Sequence, residues 1–162
     1  MKKSVSLWRI AIEAPSYRST DLSGRGAELT GGRWNRKGVP MVYTSTTRAL
    51  ACLETLVHFD AGMRLPLNRY LVRIDVPTEC WKHRQRFVSP KAYMGWDAEP
   101  PGKVSQEFGS QWAADAETLL LEVPSIVVAE EFNVMINPKH ADGGRVRAEV
   151  VRKWTYDPRF RP

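Results

Sequence analysis

The chain has 162 residues, with 24 Lys and Arg against 18 Asp and Glu, for a formal net charge of +6. That length suits one domain, spanning 1–162, with a core large enough to need no staples. Hydrophobic residues at 43% and charged residues at 26% exclude a disordered tail or a collagen-like fibre, and no apolar run approaches the roughly 18 residues of a membrane span.

In chain order, residues 4–11 alternate as a first strand, with Val5 and Leu7 on one side and Trp8 and Ile10 on the other. Arg9 falls on the Leu7 side. Residues 16–33 read as a loop in which Gly24, Gly26, Gly31 and Gly32 free the backbone to approach a ligand. A short strand centres on Val42-Tyr43-Thr44. A helix follows it, capped by Thr46 or Thr47 and running to about Asp60. Residues 70–76 alternate, with Tyr70, Val72, Ile74 and Val76 on one face and Arg73 and Asp75 on the other. Residues 87–103, with three prolines and two glycines, predict a long surface loop. A second helix is expected over 105–116, then strands near 119–123, 126–128 and 145–151. Short strands interleaved with two or three helices, without regular βαβ spacing, predict an α+β fold: a single compact domain with a mixed, short-stranded sheet.

Charge is unevenly spread. Residues 1–48 carry nine basic and three acidic side chains, 49–138 eight and twelve, and 139–162 seven and three. Two basic ends around an acidic middle suggest an anion-binding face built from both termini. The start Met1-Lys2-Lys3 is basic, but Arg9 arrives before an apolar stretch forms, so no secretory signal is expected. Two cysteines, Cys52 and Cys80, are too few for a disulfide framework, and a cytoplasmic protein with reduced thiols is expected.

Several standard sites are excluded by pattern. There is no phosphate-cradling loop, no dinucleotide fingerprint and no nucleophile elbow. His58, His83 and His140 share no metal-ligand spacing with the cysteines, so no metal site is expected. Cys52 and His58, six helical residues apart, point roughly 120° away from each other at about 100° per residue.

The informative stretch is Gly31-Gly32-Arg33-Trp34-Asn35, then Tyr43-Thr44-Ser45, then the helix around Glu54. On a helical wheel Leu50, Leu53 and Val57 centre the core-facing side, with Arg48, Cys52, Thr55 and Phe59 opposite. Glu54 lies about 60° from that centre. A partly desolvated carboxylate there needs a partner or a chemical role. The partner would make it a structural ion pair, with Arg33 as the candidate. Arg33 after two glycines can grip a phosphate or carboxylate bidentately, and can equally cap a turn. Tyr43 can stack a planar ring or pack in the core. Ser125, in the apolar run Val123-Pro124-Ser125-Ile126-Val127, reads as a hydroxyl bonded to backbone. Six scattered tryptophans leave an RNA surface as a further alternative, though without basic interleaving.

Taken together these residues resemble the RES domain, the toxin half of a bacterial toxin–antitoxin pair. The likeness runs from Leu7-Trp8-Arg9-Ile10 and Asp21-Leu22-Ser23-Gly24-Arg25-Gly26-Ala27, through the stretch above, to Val123-Pro124-Ser125, Asn137-Pro138 and Tyr156-Asp157-Pro158-Arg159. Ala129 stands where the pattern has a proline and Tyr156 where it has a phenylalanine. The resemblance implies a fold similar to ADP-ribosyltransferase toxins. It also implies cleavage of the nicotinamide N-glycosidic bond of NAD+ by hydrolysis or phosphorolysis, with transfer of ADP-ribose to a protein as the alternative. NAD+ enters as substrate, and no separate cofactor is expected. The site residues it implies are Arg33, Tyr43, Glu54 and Ser125. Arg9 is added as a second pyrophosphate ligand, and His58, four residues after Glu54 on one helix face, as an orienting neighbour. The implied partner is an Xre-like helix-turn-helix antitoxin that blocks the active site; neither membrane association nor direct DNA binding is expected.

Overall fold

Alternation along residues 4–12 and 69–77 builds the longest ladder of the computed structural model, which describes residues 3–160 except 61 and 89. Strand β1 (Ser4–Ile12) runs antiparallel to β3 (Arg69–Pro77) from Ser4 opposite Pro77 to Ile12 opposite Arg69. Among the described residues the sheet has seven strands, in the order β4-β5-β6-β2-β1-β3-β7. The others are β2 (Val42–Ser45), β4 (Gln85–Arg86), β5 (Leu120–Pro124), β6 (Phe132–Ile136) and β7 (Arg147–Trp154). Every pairing is antiparallel except β4 with β5. Among the described residues four α-helices accompany it: α1 (Arg25–Thr30), α2 (Arg48–Leu56), α3 (Thr78–Lys82) and α4 (Lys103–Asp115). The result is a single compact α+β domain.

Side-chain alternation divides the core. One sheet face buries Leu7, Val42, Val72, Ile74, Leu120 and Val134, with Cys80 of α3 packed against it. The other face carries two separate clusters. Trp34, Phe87, Trp112, Leu121 and Met135 pack under α4; Trp8, Ile10, Leu71 and Tyr156 pack against Ala51 and Cys52 of α2. The approach of α4 is close, since a Cβ on Gly109 would sit 1.9 Å from the Trp34 carbonyl oxygen. Between these clusters β1 and β2 part company: among the described residues only Trp8 and Ser45 pair across them.

Several expectations shift. Leu71, between the alternating residues of β3, is also buried because this part of the sheet is covered on both faces. Helix α2 is capped by Thr47, whose hydroxyl accepts the Leu50 N–H, but ends at Leu56 rather than near Asp60. Its inner face is Leu50, Ala51 and Cys52, with Phe59 packed beyond, while Val57 is 58% exposed. Ala51 and Cys52 pack in one cluster with Trp8 and Leu71 of the sheet. Residues 126–128 form a bend instead of a strand, since the Ser125 hydroxyl accepts the N–H groups of Val127 (3.0 Å) and Val128 (3.1 Å). The chain then returns as β6, which the pattern did not predict. Within the predicted loop 16–33, residues 25–30 form α1. The loop 87–103 is not merely superficial: Trp96 stacks on Trp34, with ring centroids 5.9 Å apart, and Tyr93 meets Phe87 and Phe108.

Candidate active site

The parting of β1 and β2 opens a cleft of about 260 Å³, floored by Trp8, Arg9 and Ile10 on one side and by Tyr43, Thr44 and Ser45 on the other. Helix α2 contributes Ala51, Glu54 and Thr55, and β6 contributes Asn133.

Glu54 stands in the last turn of α2 and takes two hydrogen bonds on one oxygen. The Ser125 hydroxyl donates to Oε1 at 2.8 Å, and the Asn133 amide donates to the same atom. Among the described residues Oε2 has no hydrogen-bond partner. Ser125 can only be the donor in its pair, because its own lone pairs are occupied by the two N–H groups of the bend. At 2% exposure it reaches a ligand only through Glu54. The bend is tied to the start of α2 by the Thr47 hydroxyl, which donates to the Glu131 carboxylate at 2.9 Å.

The structural ion pair between Glu54 and Arg33 does not form. Arg33 donates through Nη1 to the carbonyls of Ala98 (2.7 Å) and Trp96 (3.3 Å), and through Nη2 to the Glu99 carboxylate (2.7 Å). The chain on both sides of Arg33 is fixed by Tyr43. The phenol accepts the Trp34 N–H at 2.9 Å and donates to Asn35 Oδ1 at 2.7 Å, and a Cβ on Gly32 would fall 2.6 Å from the same oxygen. Burial pushes the Tyr43 phenol far above its ordinary value, against smaller opposing effects of the Trp34 N–H and the Arg33 charge. The hydroxyl is thus a neutral structural clamp, and what Tyr43 offers the cleft is its ring.

Arg9 lines the cleft, but its Nη2 is held by the carbonyls of Ser19 (2.6 Å) and Asp21 (2.7 Å). It forms no ion pair among the described residues, and its buried Nε has no partner. Desolvation lowers its pKa, partly offset by Tyr17 and Asp21. The guanidinium is thus anchored beside the cleft by carbonyl oxygens and not by a carboxylate. His58 lies exposed on the turn after α2, at the cleft wall, and its ring makes no hydrogen bond to Glu54. The expected orienting role falls instead to Ser125 and Asn133. Asn133 was invisible in the sequence; the only signal for it is its place opposite Ser45 in the β2–β6 ladder.

The two basic termini do meet, in a separate groove where Lys3, Arg145 and Arg147 lie beside Lys82. That groove shares no residue with the cleft, and Arg145 is already paired with Glu79 and Asp142. Among the described residues no group of three His, Cys, Asp or Glu side chains could hold a metal, and no helix is long and apolar enough to cross a membrane.

The cleft at the split in the sheet is lined by Glu54 and Arg9, but not by Arg33 or Ser125, and all four lie within residues 6–159. That span matches the RES domain, and the chain belongs to that family. It is 54% identical to the "Prs ADP-ribosylating toxin" of Sphingobium sp. (strain YBL2), over 97% of both chains. A "Toxin Res" of Pseudomonas putida is 32% identical over 89% of this chain and 92% of its own. In three dimensions the chain resembles a chain of the M. tuberculosis MbcT–MbcA toxin–antitoxin complex, with a TM-score of 0.63 at 16% identity over 92% of this chain and 85% of that one. At that identity the likeness is one of fold.

Proposed function

We propose that this protein is the cytoplasmic toxin of a toxin–antitoxin pair, and that it arrests growth by breaking the nicotinamide N-glycosidic bond of NAD+ in the cleft. The observation that carries this reading is the Glu54 carboxylate, oriented through Oε1 with Oε2 left for a ligand. In the reaction the C1′–N bond breaks and its electron pair returns to the nicotinamide ring, cancelling the pyridinium charge. The ribose left behind is oxocarbenium-like, and a fixed carboxylate stabilises it more than it stabilises the bound substrate. An acceptor oxygen then bonds to C1′ and releases its proton. Arg33 grips the pyrophosphate after exchanging Glu99 for it, with Arg9 as a second cation; the Tyr43 ring stacks on nicotinamide. Ser125 acts by holding Glu54.

The acceptor separates two readings. Water or phosphate makes the protein a glycohydrolase or phosphorylase. A protein side chain makes it a mono-ADP-ribosyltransferase, which the name of the Sphingobium relative favours. Purified protein incubated with NAD+, with and without phosphate and with a candidate protein acceptor, decides between them through the products. Release of nicotinamide is expected in at least one arm; its absence from all of them overturns the proposal. An RNA-directed toxin, suggested by the basic termini, predicts RNA affinity that falls steeply with salt and no fall in cellular NAD+.

An antitoxin partner is supported by the complex in which the fold relative was solved. An Xre-like antitoxin occluding the cleft would protect residues 31–58 from hydrogen exchange. Protection confined to a distant surface, with turnover unchanged, would contradict that docking mode.

A further inference from the structure

Asn133 is the second residue of β6, directly opposite Ser45 of β2. The Ser45 hydroxyl, 3% exposed, donates to Asn133 Oδ1 at 2.7 Å, while Asn133 Nδ2 donates to Glu54 Oε1. This polarity has a reason. Turned the other way, the amide would set its carbonyl oxygen against the carboxylate, so the charge of Glu54 selects this orientation, and the Ser45 hydroxyl completes it by donating to Oδ1.

The geometry points to Asn133 as a positioning residue for Glu54, with Ser45 holding its amide in place from the facing strand. The inference rests on the NAD+ reading of the cleft. A carboxylate held by one hydrogen bond can still swing about that bond. Donors from two separate elements, the bend after β5 and strand β6, converge on Oε1 and fix the plane of the group, which directs Oε2. They also supply positive dipole where it is needed, because Glu54 sits in the last turn of α2, the end at which the helix dipole disfavours negative charge. Asparagine suits the position because it accepts from Ser45 and donates to Glu54 at once. Aspartate keeps the first bond and loses the second; leucine keeps the bulk and loses both.

The experiment compares Asn133→Asp, Asn133→Leu and Ser45→Ala with the wild type at about pH 8. It measures kcat and KM for nicotinamide release from NAD+, growth arrest on induction, and the melting temperature. In both Asn133 variants kcat should fall by about 10²-fold with KM within about threefold, the pattern of an interaction that matters in the transition state. Ser45→Ala should lower kcat by about three- to tenfold. If Asn133 only joined β6 to α2 by its shape, Asn133→Asp would turn over like the wild type, and that result overturns the inference. If the Asn133 variants fail to fold, Ser45→Ala decides: an unchanged kcat overturns it, a lowered kcat at unchanged KM supports it. Growth arrest keeps the two readings apart. A wild type that arrests growth without releasing nicotinamide ends the NAD+ reading, while the ranking of arrest among the variants still tests Asn133.

Discussion

The two charged groups proposed to act on NAD+ are held in opposite ways. Glu54 projects from a helix and is bonded by neutral side chains that stand on or beside sheet strands, Ser125 at the end of β5 and Asn133 on β6. Arg33 projects from a glycine-rich turn and is bonded by a loop, through the Trp96 and Ala98 carbonyls and a Glu99 that is 71% exposed. The first arrangement leaves one carboxylate oxygen open on a rigid frame. The second compensates a cation, 12% exposed itself, with a solvated counter-ion that an anionic ligand can replace. On the proposed reading, a site built this way would keep its reacting centre preorganised and let its binding group exchange partners.

The largest test of that contrast is Glu54→Gln. Glutamine keeps the size of glutamate and accepts from Ser125, so the melting temperature should change little while NAD+ turnover falls about 10²–10³-fold and toxicity is lost. A destabilised but fully active variant would make Glu54 a structural group and erase the distinction. Next is Arg33→Lys, which keeps the charge but loses the planar fork. NAD+ should bind about tenfold more weakly by titration, a difference of about 1.4 kcal/mol. Wild-type affinity in a folded Arg33→Lys protein would remove Arg33 from the site.

Tyr43→Phe probes the seam between the two sides. The ring remains, but the Trp34 N–H and Asn35 lose their partner, so denaturant unfolding should show a loss of about 1–3 kcal/mol with turnover within about threefold. The pH dependence has a definite sign. Burial raises the phenol pKa, so above about pH 10 the unfolded chain releases a proton that the folded chain retains. Stability contributed by the protonated phenol is complete below that pH and is lost as the pH rises further, so the alkaline loss should be smaller in Tyr43→Phe than in the wild type, the remainder coming from groups such as Tyr156. Smallest of all is Glu99→Gln. An exposed ion pair contributes under about 1 kcal/mol, so stability should hardly move, whereas NAD+ affinity should rise a few-fold as Arg33 loses its competitor. Unchanged affinity would mean that Glu99 does not compete for Arg33.

Strands β1, β2 and β3 and the Thr47-capped helix were legible because alternation, apolar periodicity and a capping hydroxyl are local signals, carried by residues that are neighbours along the chain. The family resemblance also singled out Glu54 and Ser125, which the structure joins by a hydrogen bond. What local signals could not decide was which face of α2 is buried, because that face is defined by the packing of Ala51 and Cys52 with Trp8 and Leu71 of the sheet. Strand β6 was missed because the apolar residues 126–128 compete with it as a strand, and only the backbone bonds to Ser125 turn them into a bend. The partners of Arg33 lie 63 to 66 residues away in a loop pinned by Trp96, and Asn133 meets Ser45 across 88. The residue types of the site are thus properties of the sequence. Their polarity and reach, including which oxygen of Glu54 stays open, belong to the tertiary structure, because a hydrogen bond depends on register and distance between strands that the chain joins only through long detours.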